Sequence, residues 1–535
     1  MKRERSIFAG KLKIMASNKY PIGIQTFQEI IEKDYTYVDK TGFIALLVKE
    51  GKYIFLSRPR RFGKSLLLST LEAYFEGRRE LFRGLAIDRM DMDWTPRPVL
   101  YLDFNTGSYN QPDGLHNRMI TTLKKYEDKY GITTSIENDP PLRFENLING
   151  IHTKTGQKVI ILVDEYDKPL LEVEDDRERF EKNQSLLKRF LSNLKSMDRN
   201  IEFAMLTGVS RFSKVSIFSD LNNLKDISMY ERYQEICGWT EEELTSNFLP
   251  GIEALAIRLR KSSQEILNEL RDYYDGYLFC EEGRRLYNPF SVLMALDSQR
   301  IMPYWFGTGT PTFLVKRIKA MGMYPPDING KLCTENELLA VGLNAGNPIP
   351  LMFQTGYLTI ASFRHDVDMY ELRFPNREVE TGFYEDLLKI YVPSINYPES
   401  PFNFKLFKID LFEGRPNDFM KRLSTLMKTL PGEDHKESVY RAITYLLTVL
   451  SGTASTAEHH GYIGRSDIEV IAGRYIYVFE FKYNKSVEKA LEQIHSRDYA
   501  GQFAMDPRKV YLIGANFNEH QDNRGLEYDI IEMER

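Results

Sequence analysis

Tyr53-Ile54-Phe55-Leu56-Ser57-Arg58-Pro59-Arg60-Arg61-Phe62-Gly63-Lys64-Ser65-Leu66-Leu67-Leu68 is the stretch on which the fold of this chain turns. Tyr53 to Leu56 are apolar and β-prone, Ser57 to Phe62 form a polar elbow, and three leucines after Gly63-Lys64-Ser65 open a helix. Strand, loop, Gly-Lys-Ser and helix is the context of a phosphate-binding loop. Backbone N–H groups wrap the phosphates, a lysine answers their charge and a hydroxyl completes a Mg²⁺ shell. The usual spacing has a glycine five residues before Gly63, where Arg58 stands, and arginine lacks glycine's backbone freedom. Arg58, Arg60 and Arg61 are expected to add anion-binding charge. The rival reading is a plain strand-turn-helix with a solvated basic turn.

Val159-Ile160-Ile161-Leu162-Val163-Asp164-Glu165-Tyr166-Asp167 supplies the second half of the argument. Five aliphatic residues in a row predict a central parallel strand, which ends at Asp164 and Glu165 on the edge where α/β sheets bind ligands. Beside a phosphate loop, the first acid would steady Mg²⁺ and its water and the second would polarise the attacking water. Taken singly, the pair reads equally well as a helix cap. This strand is expected within reach as a neighbour of the loop strand. Ile201 to Leu206 predict a further strand, ending in Thr207-Gly208-Val209-Ser210-Arg211, where Arg211 would stabilise transferring charge. The alternation of strands and helices predicts a doubly wound parallel α/β sheet. The texture turns helical from Cys237, with Thr240-Glu241-Glu242-Glu243 reading as a capping box.

With 535 residues, the chain calls for about three or four domains. The expected boundaries are a disordered basic leader at 1–16, an ATPase core at 17–235, a helical lid at 236–345, a connector at 346–415 and a C-terminal α/β domain at 416–535. A net charge of −5 excludes a globally basic nucleic-acid binder, so any such contact must be local. Three scattered cysteines exclude a disulfide framework or a cysteine metal site and point to a reducing cytoplasmic setting.

A second constellation lies near the C-terminus. The helix expected at 435–450 places Val439, Ile443, Leu446, Leu447 and Leu450 on one face. A hairpin turning at Gly473 then brings Asp467 opposite the strand Arg474 to Tyr483. Period-two geometry puts Glu480 and Lys482 on the face of Ile476 and Val478, and charges at the end of a buried strand are costly unless used or paired. Asp467 and Glu480 would hold Mg²⁺ or Mn²⁺ through hard oxygens, and Lys482 would orient water or stabilise charge. The alternative is an ordinary strand whose Glu480–Lys482 pair is solvated or salt-bridged. His459 and His460 lack zinc spacing.

On these residues the chain resembles a bacterial AAA-ATPase-like protein fused to a PD-(D/E)XK nuclease-superfamily domain. The likeness also rests on Pro21-Ile22-Gly23-Ile24, Tyr37-Val38-Asp39-Lys40-Thr41, Arg211-Phe212, Tyr287-Asn288-Pro289-Phe290-Ser291, Gly307-Thr308-Gly309-Thr310-Pro311 and Gly464-Arg465-Ser466-Asp467. The resemblance tolerates Arg58. It implies an ATP site made by Arg61, Gly63, Lys64, Ser65, Asp164 and Arg211, with Glu165 catalytic and Mg²⁺ at Ser65 and Asp164. It implies a nuclease site with Asp467, Glu480 and Lys482 catalytic and the metal on Asp467 and Glu480. Glu458 would be an auxiliary acid, Gln493 and Tyr499 would match residues of the following helix, and Glu437 lies off the apolar face of its own. The expectation is an ATP-gated, Mg²⁺- or Mn²⁺-dependent nuclease acting on nucleic acid, DNA before RNA, without a membrane partner and open to homo-oligomerisation. The alternative is a nucleotide-driven switch whose nuclease fold docks without cutting.

Overall fold

The apolar run ahead of the loop is an interior strand. β1 (Tyr53–Ser57), β2 (Val99–Asp103), β3 (Val159–Asp164), β4 (Ile201–Gly208) and β5 (Lys225–Asp226) form an all-parallel sheet ordered β2-β3-β4-β1-β5. The computed structural model describes residues 19–211, 223–305, 312–321, 323–339, 347–396, 402–430, 436–460, 465–518 and 525–533. The leader at 1–16, Phe212 and the 307–311 motif lie outside them. β3 is buried along its whole length, as an unbroken aliphatic run requires when both faces are covered. The helix Lys64–Phe75 packs on the sheet against β2, β3 and β4.

One expectation is corrected. β3 is not the neighbour of β1, because β4 lies between them: Leu206 pairs with Phe55 on one side and Val163 on the other. Aliphatic texture marks β3 and β4 as interior strands, but it does not order them. That order is set by how the crossover helices cover the two faces. The consequence is functional, since it sets the end of β4 between the loop lysine and the acids of β3.

The helical stretch forms as its caps dictate. Glu241–Leu259 opens with the expected capping box between Thr240 and Glu243, and Ser263–Tyr274 opens with a second one between Ser262 and Glu265. Asn288 caps Pro289–Ser298 by accepting from the N–H groups of Phe290 and Ser291, so the Tyr287 to Ser291 motif is a helix start. Trp239, Phe248, Leu270 and Val292 share a core that also takes Val38, with Tyr20 and Ile22 packed against it. β6 (Lys331–Cys333), β7 (Thr359–Arg364) and β8 (Met369–Arg373) form a small antiparallel sheet ordered β6-β8-β7.

The C-terminal sheet is mixed, ordered β13-β12-β11-β10-β9 from β9 (Ala454–His460), β10 (Arg465–Ala472), β11 (Tyr475–Tyr483), β12 (Lys509–Asn518) and β13 (Gly525–Glu532). Only β11 and β12 pair in parallel. Ile476 and Val478 pack with Leu491 and Ile494 of the helix Val487–Ser496. The rings of Tyr477 and Phe479 lie against Phe419 on the alternate positions of the strand. On the helix Glu437–Leu450, Ile443, Leu446 and Leu447 are buried as expected; Val439 and Leu450 are only half-buried, and Tyr440 and Tyr445 take up the apolar face instead.

The chain divides into two compact units, Met1–Thr308 with Gly330–Val379, and Gly309–Asn329 with Glu380–Arg535. The expected lid and connector are each split by this division. Residues 309–329 go with the C-terminal unit, and 346–379 go with the first, where β7 and β8 pair with β6. Among the described residues no helix is long and apolar enough to cross a membrane.

Candidate functional sites

The loop after β1 is built around two left-handed residues, Arg61 (φ +67°) and Gly63 (φ +99°). A Cβ at Gly63 would meet nothing within 4 Å, so the demand for glycine is conformational. Lys64 is buried, and its Nζ donates to the carbonyls of Arg58 (3.0 Å) and Pro59 (3.2 Å) and lies 3.4 Å from Glu165 Oε1. Its charge is thus held at the mouth of the loop by groups that a phosphate would replace. A cleft of about 480 Å³ opens here. Arg60, Arg61, Gly63, Lys64, Ser65 and Glu165 give it a polar lining, and Ile24, Val38, Phe290 and Leu293 an apolar one. The Arg61 guanidinium lies 4.9 Å from the centre of the Phe290 ring.

Arg58 departs from expectation. It is fully buried and faces away from any phosphate. Nη1 donates to the carbonyls of Ser57 (2.9 Å) and Ser228 (2.7 Å), Nη2 to those of Tyr233 and Gln234, and the guanidinium covers the Phe279 ring at 4.1 Å. Burial pulls its pKa down to about 10. Of the three loop arginines, Arg60 and Arg61 line the cleft and Arg58 braces the backbone beneath it.

The acids of β3 divide their work. Asp164 is buried: Oδ1 accepts from Thr207 Oγ1 (2.7 Å) and Oδ2 from Tyr101 OH (3.2 Å). Burial, then Glu165, raises its pKa. The Ser65 hydroxyl opposes that rise, so the loop hydroxyl and the strand-end acid are near neighbours, a hard-oxygen set that fits Mg²⁺. Glu165, left-handed at φ +51°, turns toward Lys64.

Asp167, quoted within the motif but given no role from sequence, is buried and accepts from the N–H groups of Val209 (3.0 Å) and Ser210 (2.6 Å) and from Ser210 Oγ (2.7 Å). Burial and Glu165 push it up to about 6. It ties the end of β4 to the acidic turn. A Cβ on Gly208 would come within 2.7 Å of its Oδ1, which is why glycine stands there. Arg211 does not line the cleft; its Nη1 lies 2.7 Å from Asp226 Oδ2. Arg211 is thus paired with the half-buried acid of β5 within its own chain. Likewise Asp39, in the Tyr37 to Thr41 motif, closes a turn by accepting from Thr41 N and Thr41 Oγ1 and from Ala86 N.

In the C-terminal sheet the hairpin register pairs Ile468 with Phe479, which sets Asp467 one step beyond, beside Glu480. Asp467 Oδ2 accepts from Phe481 N–H (2.7 Å), and Oδ1 lies 3.5 Å from Arg441 Nε. Glu480 is buried; Oε1 accepts from Lys482 Nζ (2.5 Å), while Oε2 has no hydrogen-bond donor among the described residues. Burial and Asp467 push Glu480 up to about 7. An orphaned buried carboxylate oxygen beside a second carboxylate is what an oxygen-preferring divalent cation would satisfy. Among the described residues no group of three or more His, Cys, Asp or Glu side chains forms a full cage, and Mg²⁺ does not need one, since water and phosphate fill its shell.

Glu437 joins this cluster: burial and Asp467 raise its pKa, and Lys482, Arg441 and Lys485 lower it. Gln493 Nε2 donates to Tyr499 OH (3.0 Å), and Tyr499 lies beyond the helix end with its ring in the core. The Glu458 side chain lies outside the described residues. Arg441 escaped the sequence reading because its relation to Asp467 crosses a helix and a strand.

Two family models match this chain. Residues 21–218 fit the one described as "Predicted AAA-ATPase", and residues 435–527 fit the PD-(D/E)XK nuclease superfamily. The chain is also 36% identical, over 97% of its own length and 99% of the relative's, to "Uncharacterized protein in vnfD 5'region" of Azotobacter chroococcum mcd 1. The chain belongs to that protein's family. Its AAA-ATPase-like domain holds the loop of Lys64, the acids of β3 and the sheet joining them. Its PD-(D/E)XK domain holds Asp467, Glu480 and Lys482, and the likeness to the relative runs through both.

Proposed function

We propose that this protein is an ATP-gated, metal-dependent nuclease. The observation that carries the reading is the orphaned Oε2 of buried Glu480, set beside Asp467 and Lys482 in a chain that also holds a built phosphate loop. In the ATPase-like domain, Lys64 and the backbone after Gly63 bind the phosphates, Ser65 and Asp164 hold Mg²⁺, and Glu165 exchanges Lys64 for the attacking water. Asp167 and Thr207 hold the strand ends that carry these groups. In the nuclease domain, Asp467 and Glu480 hold Mg²⁺ or Mn²⁺, which when bound activates water and neutralises phosphate charge. Lys482 keeps Glu480 oriented and donates to charge developing on the phosphate oxygens.

Plasmid and single-stranded DNA are incubated with Mg²⁺ or Mn²⁺, with and without ATP, using native protein, Asp467→Ala and Lys64→Ala. Cutting that needs the metal, vanishes in Asp467→Ala and loses its ATP response in Lys64→Ala supports the reading. Protein that hydrolyses ATP and cuts neither DNA nor RNA under any condition moves the assignment to a nucleotide-driven switch.

A further inference from the structure

Residues 309–329 lie in sequence between the two segments of the first compact unit, outside both family matches, yet they belong to the compact unit of the nuclease-like domain. Their Tyr324 packs where that domain's charges meet. The Arg441 guanidinium lies 5.0 Å from the centre of the Tyr324 ring. The contact is made through the ring, which continues through Tyr445 (6.3 Å) to Tyr384 (6.1 Å). Arg441 is thus held on an aromatic ladder, with its Nε 3.5 Å from Asp467 Oδ1.

Among the described residues the charges around it balance. Glu437, Asp467 and Glu480 supply three negative charges, and Arg441, Lys482 and Lys485 three positive ones. A divalent cation on the carboxylates would leave the cluster two positive, with Arg441 no longer needed by Asp467. An arginine fork stacked on a ring is pre-oriented for phosphate oxygens.

We propose that Arg441 is a phosphate-contacting residue of the nuclease-like site, and that Tyr324, contributed by the 309–329 segment, is its positioning residue. This rests on the nuclease reading above. It also makes the nuclease site larger than the 435–527 match.

The test is binding of a short fluorescent DNA duplex to the full-length protein, followed by anisotropy across a salt series, with Ca²⁺ as the metal. Arg441→Met is expected to weaken binding about tenfold and to lower the slope of log affinity against log salt by about one. Arg441→Lys keeps the charge, so the slope stays and part of the affinity returns. Tyr324→Leu weakens binding about threefold with the slope unchanged, and Tyr324→Phe, which keeps the ring, restores it. Urea unfolding of each variant, followed by the far-UV signal and compared with the native protein, reports that the chain has folded. Should Arg441→Met fail to fold, the same comparison is read from Arg441→Lys and the two Tyr324 variants, where equal affinities overturn the proposal. Native affinity and slope in Arg441→Met overturn it while leaving the nuclease reading intact. Native protein that binds no DNA overturns both. Native protein that binds DNA without cutting overturns only the hydrolysis, and these affinities then decide the proposal.

Discussion

Arg58 and Arg61 stand three residues apart in one loop and do opposite things. Arg58 is a buried brace whose donors serve four carbonyls, so Arg58→Ala leaves them unsatisfied and removes the cover of Phe279. We expect about 3 kcal/mol of lost stability in urea denaturation. Arg61 is exposed in the cleft lining, so Arg61→Ala should leave stability within about 0.5 kcal/mol of native while ATP affinity falls about tenfold. Titrating a fluorescent ATP analogue into both variants checks the assignment; a reversed pattern would sink it. Sequence could not separate the two arginines, because three of the four carbonyls that Arg58 serves lie 170 to 176 residues away. A charge in a loop reads as solvent-facing until the chain returns to cover it.

At the scale of the element, the helix Arg377–Tyr391 is pinned near its start by Glu378. This buried carboxylate accepts from Ser291 Oγ (2.7 Å), from Trp305 N–H (2.5 Å) and from Tyr304 N–H, while Trp305 Nε1 donates to the carbonyl of Arg60 in the phosphate loop (3.0 Å). Burial outweighs the donated bonds and lifts Glu378 from an ordinary 4.5 to about 7. The folded chain therefore holds a proton there that the unfolded chain releases near pH 4.5. This contribution is fully present below pH 4.5, falls as pH rises to about 7 and is flat above; the window is worth about 3 kcal/mol. Glu378→Gln keeps the shape and lacks the titration. Its urea stability should gain on the native protein as pH rises through that window, and parallel profiles for the two would refute the account.

Across the whole molecule, the two chemistries sit in different units, and each should fail alone. Lys64→Ala is expected to weaken ATP binding at least about a hundredfold while DNA affinity in Ca²⁺ without ATP stays native. Asp467→Ala should reduce metal-dependent cutting at least about a hundredfold and leave ATP turnover unchanged. Calorimetry with ATP and gel assays with plasmid read the two independently. Gating adds a cross term: ATP should alter cutting by the native protein and not by Lys64→Ala. Identical ATP responses in both would count against gating while leaving each site standing.

The sequence by itself determined the classes of element and the chemistry at their ends. Five aliphatic residues before Asp164 allow only a buried strand, Gly63-Lys64-Ser65 after β1 allows a phosphate turn, and Thr240 with Glu243 starts a helix, because each signal is carried by residues within a few positions of one another. Asp467 across from Glu480 was legible for the same reason, since a hairpin with a turn at Gly473 fixes its own register. Only the tertiary structure decided that β4 lies between β1 and β3, that Asp226 captures Arg211, that Arg58 points inward, and that Tyr324 supports Arg441 beside Asp467. Those relations join residues distant in the chain, and they are settled by which faces can be buried together and which charges can then find a partner. Local pattern states neither.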